Sequence, residues 1–212
     1  MDQRAIVDGL LMYLGLIVLL TFHEFGHAWT AWRCGDDTAR LQGRVSLNPL
    51  VHIDLLGTVI IPLVMIFTGT RFLVGWAKPV PVNPNNLRNP KGDDLLVTLA
   101  GPWMNLMLGV VLVALMRVGL IVHSANMLDF CEKMAYLSLL LCFFNLIPIP
   151  PLDGSQVVRT LTNMSYETYH NIGRFGFLIL IIVLQFPAVS NTLNKVTSTS
   201  LSAIGSWFGV PV

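Results

Sequence analysis

The chain has 212 residues, 54% of them hydrophobic and 12% charged, with a mean hydropathy of +0.66. Soluble domains carry about a quarter charged residues, so an ordinary water-soluble fold is excluded. The net charge of +1, with no basic arm and no acidic tail, excludes a nucleic-acid partner.

The first apolar stretch runs from about Gly9 to Trp32, long enough to cross a bilayer at about 1.5 Å per residue. Arg4 precedes it as in a secretory leader. No small-residue cleavage site follows, and the stretch runs straight into a polar motif, so an uncleaved span is expected. Trp29, Trp32 and Arg33 suit an interfacial end. Turn formers then gather at Gly35-Asp36-Asp37, Gly43 and Asn48-Pro49. Between them Ala39 to Leu47 partly alternates polar and apolar, which predicts a short membrane-associated β-hairpin.

A second span is expected over Leu55 to Thr68, interrupted by Pro62. Pro79, Pro81, Pro84 and Pro90 rule out a regular helix in the next stretch and favour extended backbone. The third span, Leu95 to Val122, carries Gly101-Pro102 near its start and Asn105 inside. A fourth begins near Met134 and breaks in "NLIPIPPLDG" at 145–154, and a fifth covers Phe175 to Pro187. The tail from Ala188, with Trp207 and Phe208, suits the membrane interface. The expected fold is therefore an all-α polytopic membrane protein. It has about five transmembrane helices and the hairpin, in a single domain over 1–212. Lys and Arg divide evenly between the two sides of five such spans and give no orientation. Cys34, Cys131 and Cys142 form no CxxC pair and no disulfide framework; Cys142, in an apolar run, reads as a small buried hydrophobe.

Ionisable side chains inside apolar spans cost several kcal/mol unless paired or ligated. "HEFGH" at 23–27 places two such groups, His23 and His27, at i and i+4 on one helix face, where both can reach one metal ion. Glu24 stands where it can act on water at that metal, the HExxH pattern of zinc metalloproteases. Counted back from Arg33, the two imidazoles lie roughly 9–15 Å inside the end of the span.

Zinc needs a third protein ligand, with one position left open. His52, Asp54, His123, His170 and Asp153 are the candidates. Asp153 is favoured because Pro148, Pro150 and Pro151 break the helix before it, and irregular backbone at membrane depth belongs where it lines a cavity. The competing reading makes Asp153 a helix cap. Spacing alone makes Asn105 and Asn145 interhelical hydrogen-bonding residues. A transporter with intramembrane His and Asp would show inverted repeats, and no repeat is visible. A non-enzymatic relative would have lost a ligand or the base, and neither is missing.

Five stretches together resemble the site-2 protease family of intramembrane zinc metalloproteases: "HEFGHAW" at 23–29, "GRVSLNPLVHIDLLGT" at 43–58, "GWAKPVPVNPNNLRNP" at 75–90, "AGPWMN" at 100–105 and "NLIPIPPLDG" at 145–154. The resemblance implies one zinc ion on His23, His27 and Asp153, with Glu24 as general base. It implies that Asn145 takes part in catalysis and that Asn105 lines the substrate region. Residues 39–47 would match the strand edge that pairs with unwound substrate. The implied activity is cleavage of transmembrane protein or peptide substrates within the lipid bilayer, by a multi-pass protein of a prokaryotic plasma membrane. No PDZ-like insertion or nucleotide-sensing domain is present in the sequence, and the HExxH helix is its first span.

Overall fold

The computed structural model describes residues 3–69 and 75–212. Helix α1 (Gln3–Arg33) is one unbroken rod, because its apolar run contains no proline, and it stops where Gly35 takes a positive φ of 108°. After a short turn of helix, α2 (Thr38–Leu41), the chain winds to Asp54. The Asp54 carboxylate accepts from the Leu56 and Gly57 N–H groups and so opens a π-helical turn, Leu55–Ile60. That turn continues into α3 (Ile61–Thr68). An extended stretch leads to α4 (Gly92–Ile121), whose first turn carries Asp93 and Asp94, the sign that suits a helix N-terminus. Then come α5 (Ala125–Asn145), α6 (Asp153–Thr162), α7 (Tyr166–Gly173), α8 (Gly176–Leu184) and α9 (Pro187–Phe208).

Two expectations fail here. The described residues include no strand, so the hairpin over 39–47 does not form. The Asp36 side chain accepts from the Thr38 N–H and starts the helical turn of α2 instead. Gly43, with φ 68°, then reverses the chain so that the Arg44 N–H closes on the Ala39 carbonyl. The alternation in sequence therefore reflects a turn folded on itself rather than a pleated ladder. The five expected spans are also too many. Among the described residues only α1 (over Ile6–Arg33) and α4 are long and apolar enough to cross a membrane, or three units if α7 and α8, bent by 54°, count as one. A span needs about 20 residues. The Leu55–Thr68 segment is shorter than that, α8 has nine residues, and α5 carries Asp129, Glu132 and Lys133 in its first half.

Helix α4 is the hub, packed against α1, α5, α6 and α9. Val113 and Met116 of α4, Cys131, Ala135 and Leu139 of α5, and Leu201 and Ile204 of α9 form the main core. Between apolar helices in lipid such a core is held by close van der Waals packing rather than by removal of apolar surface from water. α9 is thus a packed helix rather than a loose tail. Where α1 crosses α4, a Cβ at Gly26 would stand 2.7 Å from the Ala100 carbonyl oxygen, so only glycine permits this approach.

The extended stretch is held by both backbone and side-chain hydrogen bonds. Lys78 N–H donates to the His52 carbonyl (2.8 Å), and Arg88 N–H to the Cys34 carbonyl (3.1 Å). Asp36 is fully buried and accepts from Thr38 Oγ1 (2.5 Å), Asn83 N–H (2.7 Å) and Asn86 Nδ2 (2.9 Å). Burial alone would raise its pKa. The bonds from Thr38, Asn83 and Asn86 outweigh burial and hold the carboxyl below the usual range. A group depressed on folding stabilises the protein fully above its unfolded value, about 3.9. That contribution is lost as pH falls through the lower folded value. Thermal unfolding of wild type and Asp36→Asn should therefore differ most near neutrality, with the gap closing as pH drops below about 4. A gap that stays constant with pH would refute this account.

Candidate metal centre and active site

Three helices bring the site together. His23 and His27 lie one turn apart on the buried face of α1, and Asp153 is the first residue of α6. His23 Nε2 and His27 Nε2 are 3.1 Å apart, and Asp153 Oδ2 lies 3.2 and 3.4 Å from them. Among the described residues this is the one group of three or more His, Cys, Asp or Glu side chains whose ligand atoms converge.

The donor set fits zinc. Ligand atoms about 2.0–2.2 Å from a tetrahedral ion stand about 3.3–3.6 Å from one another, close to the separations here. Asp153 Oδ2 is buried and, among the described residues, has no hydrogen-bond donor outside the two imidazoles. His27 Nδ1–H donates to the Val97 carbonyl at 2.7 Å, since only a protonated ring nitrogen can face a carbonyl, and its Nε2 therefore carries the lone pair. Gly101 of α4 borders the same space. A Cβ there would touch His27 Nε2 and stand 2.7 Å from His23 Nε2, inside the volume an ion would fill.

Asp153 is placed by packing as much as by its proline-rich approach. The backbone at Gly154 lies against Leu146 and Ile147, where a Cβ would be 2.7 Å from the Ile147 oxygen. Farther along α6, Arg159 forms a buried ion pair with Asp94 of α4 at 2.6 Å, and Thr160 Oγ1 donates to the same carboxylate. The Arg159 guanidinium stacks over the Tyr166 ring at 4.0 Å. Breaking one partner of such a buried pair typically costs about 3–5 kcal/mol, so α6 is firmly fixed to α4.

Glu24, also buried, accepts from the Val80 N–H through Oε2 at 3.1 Å. The loop carrying Val80 is itself gripped by Arg44, which donates to the carbonyls of Lys78 (2.5 Å) and Pro79 (3.2 Å). Arg44 Nη2 also donates to His52 Nδ1 at 3.4 Å, leaving His52 Nε2–H to donate to the Ser46 carbonyl at 2.8 Å. Burial, then the Arg44 charge, lowers the His52 pKa, so the ring is neutral and committed to this loop. Of the other candidate ligands, Asp54 caps the π-turn, while His123 and His170 are exposed. None joins the cluster.

Asn105 is fully buried on α4, its Nδ2 3.1 Å from His23 Nδ1. Asn145 ends α5 and donates its amide N–H to the Leu141 carbonyl at 2.9 Å. Sequence reasoning gave no role to Gly101 or to the Val97 carbonyl. A glycine just before a proline inside an apolar helix was the only available signal for the first; the second is a backbone atom and has none.

Comparison with known proteins agrees with this geometry. The family model described as "Peptidase family M50" matches residues 11–122 and 120–184. "Putative zinc metalloprotease YwhC" of Bacillus subtilis (strain 168) is 36% identical over 190 residues, 86% of this chain and 83% of that protein. "Putative zinc metalloprotease Rip2" of Mycolicibacterium smegmatis is 31% identical over 184 residues, 85% and 69% of the two chains. "Zinc metalloprotease MJ0392" of Methanocaldococcus jannaschii is 22% identical over 177 residues, 81% and 42% of the two. No solved structure matches the chain.

Proposed function

The chain belongs to peptidase family M50, the site-2 protease family, and from that premise we propose that it hydrolyses peptide bonds in or near transmembrane segments of other membrane proteins, using one zinc ion. Its membership and its relatives make it a zinc metalloprotease, and its long apolar helices fit a membrane-embedded protein. The bacterial and archaeal relatives support a prokaryotic plasma membrane as its site. The observation that carries the reading is the convergence of His23 Nε2, His27 Nε2 and Asp153 Oδ2 below the end of α1.

In this reading His23, His27 and Asp153 hold the ion. Zinc supplies Lewis acidity, activating water and polarising the scissile carbonyl. Glu24 takes the proton from the attacking water and passes it to the leaving amine. The Val80 N–H keeps the carboxylate in place through Oε2. Asn145 is the proposed donor to the developing oxyanion. It neighbours Leu146, on whose backbone Gly154 packs beside Asp153. The Asn145 amide would have to give up the Leu141 carbonyl to reach substrate. Asn105 stands behind His23 rather than on an open surface.

The test is a proteoliposome assay with a single-span substrate. Cleavage should occur in the membrane-inserted substrate, stop with a zinc chelator and return on adding zinc. Cleavage that continues unchanged after verified zinc removal would overturn the reading.

A further inference from the structure

His27 has its ring orientation settled by a backbone carbonyl, whereas His23 has only Asn105. A neutral imidazole can offer a lone pair at Nε2 only when Nδ1 carries the proton. Asn105 Nδ2 lies 3.1 Å from His23 Nδ1; with the amide so turned it would donate, which would put the ring proton of a neutral His23 on Nε2, 3.1 Å from His27 Nε2 and 3.2 Å from Asp153 Oδ2. That arrangement serves the three side chains alone, but it leaves no lone pair for an ion. The same amide carries an acceptor, Oδ1, that is buried and has no hydrogen-bond partner. Turning the amide by half a rotation breaks only the bond to Nδ1, which must go in any case when the ring proton moves. No bond to Oδ1 is lost. The backbone of Asn105 stays fixed meanwhile, because Ser138 Oγ donates to its carbonyl at 2.7 Å.

We propose that Asn105 is a positioning residue for the metal centre, accepting the His23 Nδ1–H through Oδ1 and so holding Nε2 free for zinc. The proposal rests on the zinc reading above and adds to it the group that sets the tautomer of one ligand. Outer-shell acceptors of this kind are worth about 10–100-fold in metal affinity.

Two substitutions separate acceptor from donor and from filler. Asn105→Leu keeps the shape and removes both polar atoms. Asn105→Asp keeps an acceptor and removes the donor. Zinc affinity of the full-length detergent-solubilised protein is measured by competition with a chelator of known affinity, alongside thermal unfolding of the metal-free protein. Asn105→Leu should bind zinc about 10–100-fold more weakly. Asn105→Asp should bind at least as tightly as wild type. A role confined to packing would move the metal-free unfolding of both variants and leave zinc affinity level, which overturns the proposal. It also fails if Asn105→Asp loses zinc, because the amide would then be needed as a donor. That comparison decides the matter alone if Asn105→Leu does not fold. Wild-type protein that binds no zinc would overturn the metal reading itself, and the Asn105 role with it.

Discussion

Glu24→Gln should abolish peptide cleavage and leave zinc in place. The substitution keeps the length of the side chain, and the glutamine carbonyl can still accept the Val80 N–H that holds Glu24 at 3.1 Å. It removes the one property the proposed mechanism needs, a carboxylate that can carry a proton from water to the leaving nitrogen. General-base groups contribute about 10²–10⁴-fold, so turnover should fall by at least the lower figure. Zinc per protein, measured by elemental analysis, should match wild type, since the three proposed ligands are untouched. A variant that cleaves within tenfold of wild type would rule Glu24 out as the base.

Gly101→Ala should give the opposite separation, an intact fold that holds no zinc. The new methyl would touch His27 Nε2 and lie 2.7 Å from both Nε2 and Cε1 of His23. It would occupy the space between the proposed ligand atoms. Alanine is favoured over glycine inside a helix by about 1 kcal/mol, which offsets part of the cost of displacing the two buried imidazoles, about 1–3 kcal/mol. The proline at 102 already limits the backbone there, and α4 is fixed on four sides by α1, α5, α6 and α9. The purified variant should therefore remain folded with a modestly lowered unfolding temperature, contain almost no zinc and show no cleavage at any zinc concentration that saturates wild type. Stoichiometric zinc bound at wild-type affinity would show that the ion does not sit where the histidines and Asp153 converge.

The comparison of the two variants is informative because the sequence announced only one of the positions. His23, Glu24 and His27 were legible because the i, i+4 spacing is local and the helix around them is apolar. Asp153 was legible for another reason: three prolines stop the preceding helix, and an acidic residue at such a break needs a partner. What was not legible depends on contacts across the chain. Asn105 is recognisable as an amide in an apolar helix, but nothing in the sequence pairs it with His23, 82 positions away. Gly101 looks like a packing glycine until the two imidazoles are seen against it. Alternation over Ala39–Leu47 suggests a hairpin that does not form, because it is only a local pattern. It cannot reveal that the Asp36 side chain has already turned the backbone. Short apolar runs such as α8 resemble full crossings in hydropathy, although hydropathy says nothing about whether nine residues reach both sides.

Asp94, Val97, Gly101 and Asn105 form a single stripe down α4, and each meets a different part of the candidate centre: the Asp153 helix, His27, the space between the proposed ligands, and His23. One rod therefore acts as the ruler against which the other two helices are measured. Each added or deleted residue turns the rest of an α-helix by about 100°. A single-codon insertion or deletion between positions 94 and 105 would thus swing part of the stripe away while leaving every side chain of the HExxH and Leu-Asp-Gly segments intact. In descendants of this chain, length changes should collect at the ends of α4 and in its flanking loops, and the interval between Asp94 and Asn105 should keep its count.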